Sequence, residues 1–283
     1  MAHVRTMTIR DIGQAKKLSD AEKWNQTGKD WELLINNHGN VSLAAENGGE
    51  IIGTATAMNY ENKVAWIGMV LVDRKFRGRG ISKMLLTALL EQKPGRSVRL
   101  DATPAGQKVY QKLDFKDEYL IHRMTIDSVP AKTLEYDHKQ SVEPVRPGDI
   151  PEIVEYDRRV FGIGRQSLLE FLIKNYPESV WVLKKAGNIK GFALGRKGAR
   201  FSQVGPVTAS TTEEAKQLIL KSLTGLEGKP VVIDILDDKR DLAEWLCAAG
   251  FIRERHFIRM YRNENPFPGI RENQFLVCGP EFG

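Results

Sequence analysis

The sequence predicts an α/β (α+β) protein built from two tandem copies of one layered domain, each a mixed sheet flanked by helices. Three observations carry this. The chain has 283 residues, enough for two ordinary domains. KLDFKDEYLIHRM, ending at Met124, resembles AAGFIRERHFIRM, ending at Met260. Phe115/Phe251, Arg123/Arg259 and Met124/Met260 share an offset of 136 residues, as do Ile9-Arg10 and Val145-Arg146 near the start of each half. A common offset at both ends of a unit marks an internal repeat. Lastly, helical and strand periods alternate along the first copy, the pattern of a layered sheet-and-helix domain.

Taken in order, residues 4–10 predict a strand. Residues 11–36 predict one or two helices, with Trp24, Trp31, Leu33 and Leu34 as apolar positions. A hairpin is expected from 41–46 and 51–60 around Asn47-Gly48-Gly49, a strong turn signal. VAWIGMVLV (64–72) reads as a buried strand. Residues 80–92 read as a helix with Ile81, Met84, Leu85, Ala88 and Leu89 on one face, ended by Pro94-Gly95. A strand over 98–102, a short helix over 104–113 and a strand pair over 115–126 complete the copy. Pro130 and the loss of period place a linker at 128–140, between domains at 1–127 and 141–283.

Composition excludes several function classes. Apolar residues make up 41% and charged residues 28%, with a net charge of +6. This excess suits an anionic ligand but is too diffuse for nucleic acid. The basic stretch Arg74, Lys75, Arg77, Arg79 and Lys83 has no run of interleaved aromatics, so a nucleic-acid partner is not expected. Cys247 and Cys278 build neither a disulfide framework nor a CxxC pair, and the five histidines lack metal spacing, so no metal is expected. No apolar run approaches the roughly 18 residues that span a bilayer. The N-terminus lacks an apolar signal core. A cytoplasmic protein with no membrane partner is the expectation.

The chemistry concentrates in one loop. After the strand 64–72 come Asp73-Arg74-Lys75-Phe76, then Arg77-Gly78-Arg79-Gly80-Ile81-Ser82, then an amphipathic helix. The first N–H groups of a helix have no intrahelical acceptor and sit at the positive end of its dipole. Gly78 and Gly80 let a pyrophosphate approach the backbone. A capping turn with no ligand is the alternative on this loop alone.

Arg77-x-x-Gly80-x-Ser82 behind an apolar strand resembles the acyl-CoA signature of the GNAT superfamily of N-acetyltransferases: Arg or Gln, two residues, Gly, one residue, then Gly or Ala. Ser82 departs from the last position. LDATPAGQKVYQKLDF also resembles the following GNAT segment, although Thr103 stands where many relatives carry Asn, and Asp114 where they carry Gly. The resemblance covers about residues 64–124. It implies a mostly antiparallel sheet, with Tyr110 as the acid that protonates the leaving thiolate. It implies that Val70, Leu71 and Val72 hold the pantetheine arm on a splayed strand, and that Arg77, Gly78, Arg79, Gly80, Ile81 and Ser82 grip the pyrophosphate of acetyl-CoA. Asp101, at a strand end, is a candidate base, or a residue with a capping or hydrogen-bonding role. Trp24 and Asn25 fall in the helical region that covers the acceptor in this fold.

The second copy tests the assignment from within the chain. An offset of 136 carries Arg77–Ser82 onto Glu213–Leu218, which has no glycine and two glutamates, and Tyr110 onto Leu246. Carboxylates repel a pyrophosphate. This half resembles the degenerate C-terminal domain of tandem GNAT proteins. Its Arg165 and Arg196 are candidates to read an anionic substrate group, or are surface arginines in turns. The expected function is transfer of an acetyl group from acetyl-CoA to a small-molecule amine. The alternative is a non-catalytic CoA-binding or partner-binding module. Monomer and homodimer both remain open.

Overall fold

A computed structural model describes residues 2–92, 96–131 and 142–283. The first copy runs β1 (His3–Thr6), α1 (Ile12–Ala21), α2 (Gly28–Asn36), β2 (Val41–Asn47), β3 (Glu50–Tyr60), β4 (Val64–Val72), α3 (Ile81–Glu91), β5 (Ser97–Ala102), α4 (Pro104–Gln111) and β6 (Lys116–Ile126). The second repeats it element for element: β7 (Val142–Pro144), α5 (Ile150–Phe161), α6 (Gln166–Asn175), β8 (Trp181–Lys185), β9 (Asn188–Lys197), β10 (Ser202–Ala209), α7 (Thr212–Leu223), β11 (Val231–Leu236), α8 (Arg240–Ala248) and β12 (Ile252–Arg262). A short strand, β13 (Gln274–Leu276), follows. Pro94-Gly95, and residues 132–140 of the expected linker, lie outside the described residues.

The expected first strand stops at Thr6, because Thr8 and Asp11 close a capping box that starts a helical turn at Ile9. The region 11–36 forms two helices, the second opened by a capping box between Thr27 and Asp30. The larger difference lies at 115–126. These residues form one long strand rather than a pair, and its partners come from the second copy.

Among the described residues all 13 strands form one sheet, in the order β1-β2-β3-β4-β5-β12-β6-β11-β13-β10-β9-β8-β7. Each copy gives its last long strand to the other: β12 lies against β5, and β6 lies against β11. β6 and β12 also pair with each other, antiparallel. Ile121 there faces Phe257, its own repeat equivalent, so a pseudo-twofold axis passes through this pair. The β4–β5 and β10–β11 ladders are parallel, and the others are antiparallel.

The exchange buries two equivalent ion pairs. Arg259 on β12 makes two hydrogen bonds of 2.9 Å to Asp101 on β5. Arg123 on β6 makes two of 2.8 Å to Asp234 on β11. Burial alone would lower the pKa of Arg259, but the adjacent Asp101 carboxylate reverses this and holds it above its ordinary value.

Helices cover both faces. Ile81, Leu85, Leu86 and Leu89 of α3 pack on alternate residues of β3, such as Ala55 and Ala57. On the other face, Trp31 and Leu34 of α2 share a core with Leu168, Leu169 and Leu172 of α6, so the two copies also meet through their helices. Among the described residues no helix is long and apolar enough to cross a membrane.

Arg259→Met should lower unfolding free energy by about 3–5 kcal/mol, because Asp101 is left buried and unpaired. Removing both charges, with Asp101→Leu and Arg259→Met together, should cost less than Arg259→Met alone. Urea unfolding of the two variants measures this difference.

Candidate active site

β4 pairs with β5 only from Val64↔Ser97 to Ile67↔Leu100. Beyond Ile67 the two strands part. The departure coincides with a bulge: Thr54 on β3 faces Leu71, while Thr56 faces Gly68, so β4 carries one extra residue there. Met69 takes a φ of +51° to accommodate it. The hydroxyls of Thr54 and Thr56 donate to the carbonyls of Met69 and Gly68 at 2.8 and 3.1 Å, which fixes the bulge on β3. An isolated glycine in an apolar strand is the sequence signal for such a feature.

The parting strands open a cleft of about 190 Å³. One wall is Gly68, Met69 and Val70 of β4 with Ser82 and Leu86 of α3. The opposite wall is Leu100 and Asp101 of β5 with Thr103, Gly106, Val109 and Tyr110 of α4. Trp24 and Gln26 border it from the segment between α1 and α2. Arg123 of β6, Arg255 and Phe257 of β12, and Pro280 and Glu281 of the C-terminal tail complete it. Four of these groups therefore come from the second copy, which no local pattern indicated.

At the outer end of β4, Asp73–Gly80 leads into α3. Gly80 is the residue before the helix, at φ +78°, and no side chain caps the helix start. Gly78 also lies at φ +77°, and a Cβ at either glycine would point into open space. The first turn of α3 thus faces outward with its N–H groups free of side-chain acceptors, a geometry that fits a pyrophosphate. Arg77 donates to the carbonyl of Val72 at 3.1 Å and pairs with Glu22 at 2.7 Å. Arg74 pairs with the same Glu22 oxygen at 2.9 Å. These two guanidinium groups, Arg74 foremost, hold the Glu22 carboxyl below its ordinary pKa. Arg79 stacks over Phe76 at 5.2 Å.

The expected site residues divide accordingly. Val70, Ser82, Tyr110 and Trp24 line the cleft, and the Arg77–Gly80 loop stands at the start of α3. Leu71 and Ile81 point into two different cores, and Val72 is half-buried against the one that holds Ile81. Tyr110 is half-buried, with its ring 5.8 Å from Phe115 and against Gly106. Burial raises its pKa, so the phenol keeps its proton.

Four expectations are corrected by contacts remote in sequence. Asp101 is not a free base: its side chain is 1% exposed and both oxygens hold Arg259. What it shows the cleft is backbone. Arg165 is buried, pairs with Asp157 at 2.9 and 3.0 Å, and donates to the carbonyl of Gly283 at 2.7 Å. Arg196 is buried between Asp30 and Glu281. Neither is a surface arginine open to substrate. Asn25 clamps the two copies together. Its Oδ1 accepts from the N–H groups of Arg200 and Phe201, both at 3.0 Å, and its Nδ2 donates to the carbonyl of Phe201 at 3.1 Å.

The second copy has the same frame with the cleft closed. β10 and β11 pair over Ser202–Val204 and Val231–Ile233, then part as β4 and β5 do. β13 fills the gap, bonded to β10 on one side and β11 on the other. Two residues, Ser210 and Thr211, join β10 to α7, where eight join β4 to α3. The basic loop is therefore absent, and the shorter connection shifts the register of the repeat. Lys216, which an offset of 136 pairs with Gly80, lies inside α7, and the residue that precedes the helix as Gly80 does is Thr211. The Thr211 hydroxyl accepts from the N–H of Glu214 at 3.3 Å, and the carboxylate of Glu214 accepts from the N–H of Ser210 at 3.0 Å. This helix start is capped by its own side chains.

Known proteins share this architecture. A model of the Acetyltransferase (GNAT) family matches residues 9–115, and one of the Acetyltransferase (GNAT) domain matches residues 153–276. The uncharacterized N-acetyltransferase YitH of Bacillus subtilis is 26% identical over 189 residues, an alignment that covers 66% of each chain, just under two thirds. The holothin acyltransferase of a Pseudoalteromonas species is 24% identical over 247 residues, covering 87% of this chain and 83% of that one. A putative acetyltransferase from Pyrococcus horikoshii has the same fold, with a TM-score of 0.83 at 22% identity, over 100% of this chain and 96% of its own. The chain belongs to the GNAT family of acetyltransferases, as a member with two tandem GNAT domains.

Asn25→Ala should lower stability by about 1–3 kcal/mol, because the N–H groups of Arg200 and Phe201 lose the part-buried acceptor they share. Thermal unfolding measures the loss.

Proposed function

We propose that the protein transfers an acetyl group from acetyl-CoA to the amine of a small-molecule acceptor, directly, in a ternary complex at the first copy. The observation that carries this reading is the contrast between the two strand gaps. The β10–β11 gap is filled by β13, a strand from the same chain. The β4–β5 gap is open, and an extended pantetheine arm suits it as an added strand would. The uncapped start of α3, with Gly78 and Gly80, supports a pyrophosphate there. The name of one relative, holothin acyltransferase, supports acyl transfer as the reaction class.

In this reading Val70 and its neighbours on the bulged strand orient the thioester, and orientation supplies much of the rate. Backbone N–H groups at the bulge stabilise the oxyanion. Tyr110 gives its proton to the leaving thiolate, a role that its place in the cleft suits. Trp24 borders the acceptor side.

Calorimetry with acetyl-CoA should find one site per chain. Gly80→Glu should abolish it, since a side chain and a negative charge then meet the pyrophosphate. Two equal sites in the wild type would refute the one-cleft reading. Tyr110→Phe should lower kcat by about 100-fold while acetyl-CoA affinity holds. An unchanged kcat would remove Tyr110 as the acid.

A further inference from the structure

The acetyl-transfer reading supplies an acid but no group to take the proton from the acceptor amine. Two acidic residues border the cleft, Asp101 and Glu281. Asp101 is committed to Arg259 through both oxygens. Glu281 differs. It is delivered by the C-terminal tail of the second copy and packs against the β4 bulge. A Cβ on Gly68 would lie 2.9 Å from the Cα and Cβ of Glu281. The tail is held there by several independent contacts. Trp66 donates to the carbonyl of Pro280 at 3.1 Å, Tyr60 to that of Phe282 at 2.7 Å, and Arg165 to that of Gly283 at 2.7 Å.

The side chain of Glu281 is 2% exposed. Its Oε1 accepts from Arg196, while its Oε2 has no hydrogen-bond partner among the described residues. Arg196 is shared: it also pairs with Asp30 at 2.5 Å. The other Asp30 oxygen accepts from the N–H and hydroxyl of Thr27 at 2.6 and 2.9 Å. One guanidinium therefore faces two carboxylates, and Arg196 makes a hydrogen bond to only one oxygen of Glu281. Nearby, Arg123 is matched by Asp234. The remaining cation on the cleft wall, among the described residues, is Arg255 on β12.

We propose that Glu281 is the catalytic carboxylate that binds the acceptor's ammonium group and takes its proton. The inference rests on the acetyl-transfer reading. The ammonium gives one proton to Glu281. The amine nitrogen then bonds to the thioester carbon, and the carbon–sulfur bond breaks. The thiolate takes the proton of Tyr110, and the second proton on nitrogen returns to the phenolate. Glu281 releases its proton to solvent, so the sum is amide, thiol and one proton.

The test uses the full chain with Glu281→Gln, which keeps the size of the side chain and an acceptor for Arg196. Thiol release is followed with saturating acetyl-CoA and n-propylamine, ethanolamine, spermidine or L-lysine. With the best amine, the variant should lose about 100-fold in kcat/KM at pH 7 while its acetyl-CoA affinity stays unchanged. Its rate should then climb about tenfold per pH unit toward the amine's own pKa, as the free amine replaces the missing base. A purely structural role predicts a lower thermal stability with no change in the pH profile, and that result would overturn the proposal. If Glu281→Gln does not fold, Glu281→Asp keeps the charge beside Arg196 and should still lower kcat at least tenfold. Calorimetry with n-propylammonium, with and without acetyl-CoA, provides a readout independent of turnover. Binding lost in Glu281→Gln supports the carboxylate even if no amine is acetylated, which would instead count against acetyl transfer. Equal binding in wild type and variant, or none in either, overturns it.

Discussion

The pairing of β6 with β12 is the constraint on which the rest of the molecule depends. Each strand is the last of its own copy and completes the sheet of the other. Neither copy has a finished sheet without its partner, and the buried Arg123–Asp234 and Arg259–Asp101 pairs lock both exchanges. A buried ion pair is weak evidence of net stability, but its loss is costly because one charge remains unpaired. These pairs therefore disfavour any arrangement in which either strand returns to its own copy. The same exchange brings Arg255 and Phe257 to the cleft of the first copy. The second copy thus contributes to the site even though its own gap is filled.

One tail links the two gaps. β13 occupies the space between β10 and β11, and the residues after it run on to the β4 bulge. Gly205 permits the first part of this path, since a Cβ there would overlap the carbonyl oxygen of Val277. Gly68 permits the second, where the tail meets β4. Two glycines in equivalent strands, one per copy, admit the same segment.

Local features were legible in the sequence because local physics sets them. The strand 64–72 and the helix after Gly80 follow from an apolar run and a helical stripe, and the structure places them within a residue of the expected bounds. The repeat was legible because core positions such as Phe115 and Phe251 kept their spacing. The same turn contact marks both: Phe115 donates to the carbonyl of Tyr110, and Phe251 to that of Leu246. The strand exchange was not legible, because a strand's period shows which face is buried but not whose edge it joins. Arg165 and Arg196 followed glycines and read as turn residues. Their burial depends on Asp157, Asp30 and Glu281, and two of these three lie far away in the chain. Glu281 itself sits in a short tail with no period or motif around it.

The contrast between the copies then has a physical basis. Strands that part inside a sheet leave backbone N–H and C=O groups without a ladder partner, and such groups need one. In the second copy the chain itself supplies it, through β13, and the start of α7 is closed by Thr211 and Glu214. In the first copy no strand among the described residues enters the β4–β5 gap, and no side chain caps α3. An extended ligand with an anionic end would satisfy both at once: its arm along β4 and its charge at the start of α3. The fold is one design used twice, with the strand gap filled by β13 in one copy and open in the other.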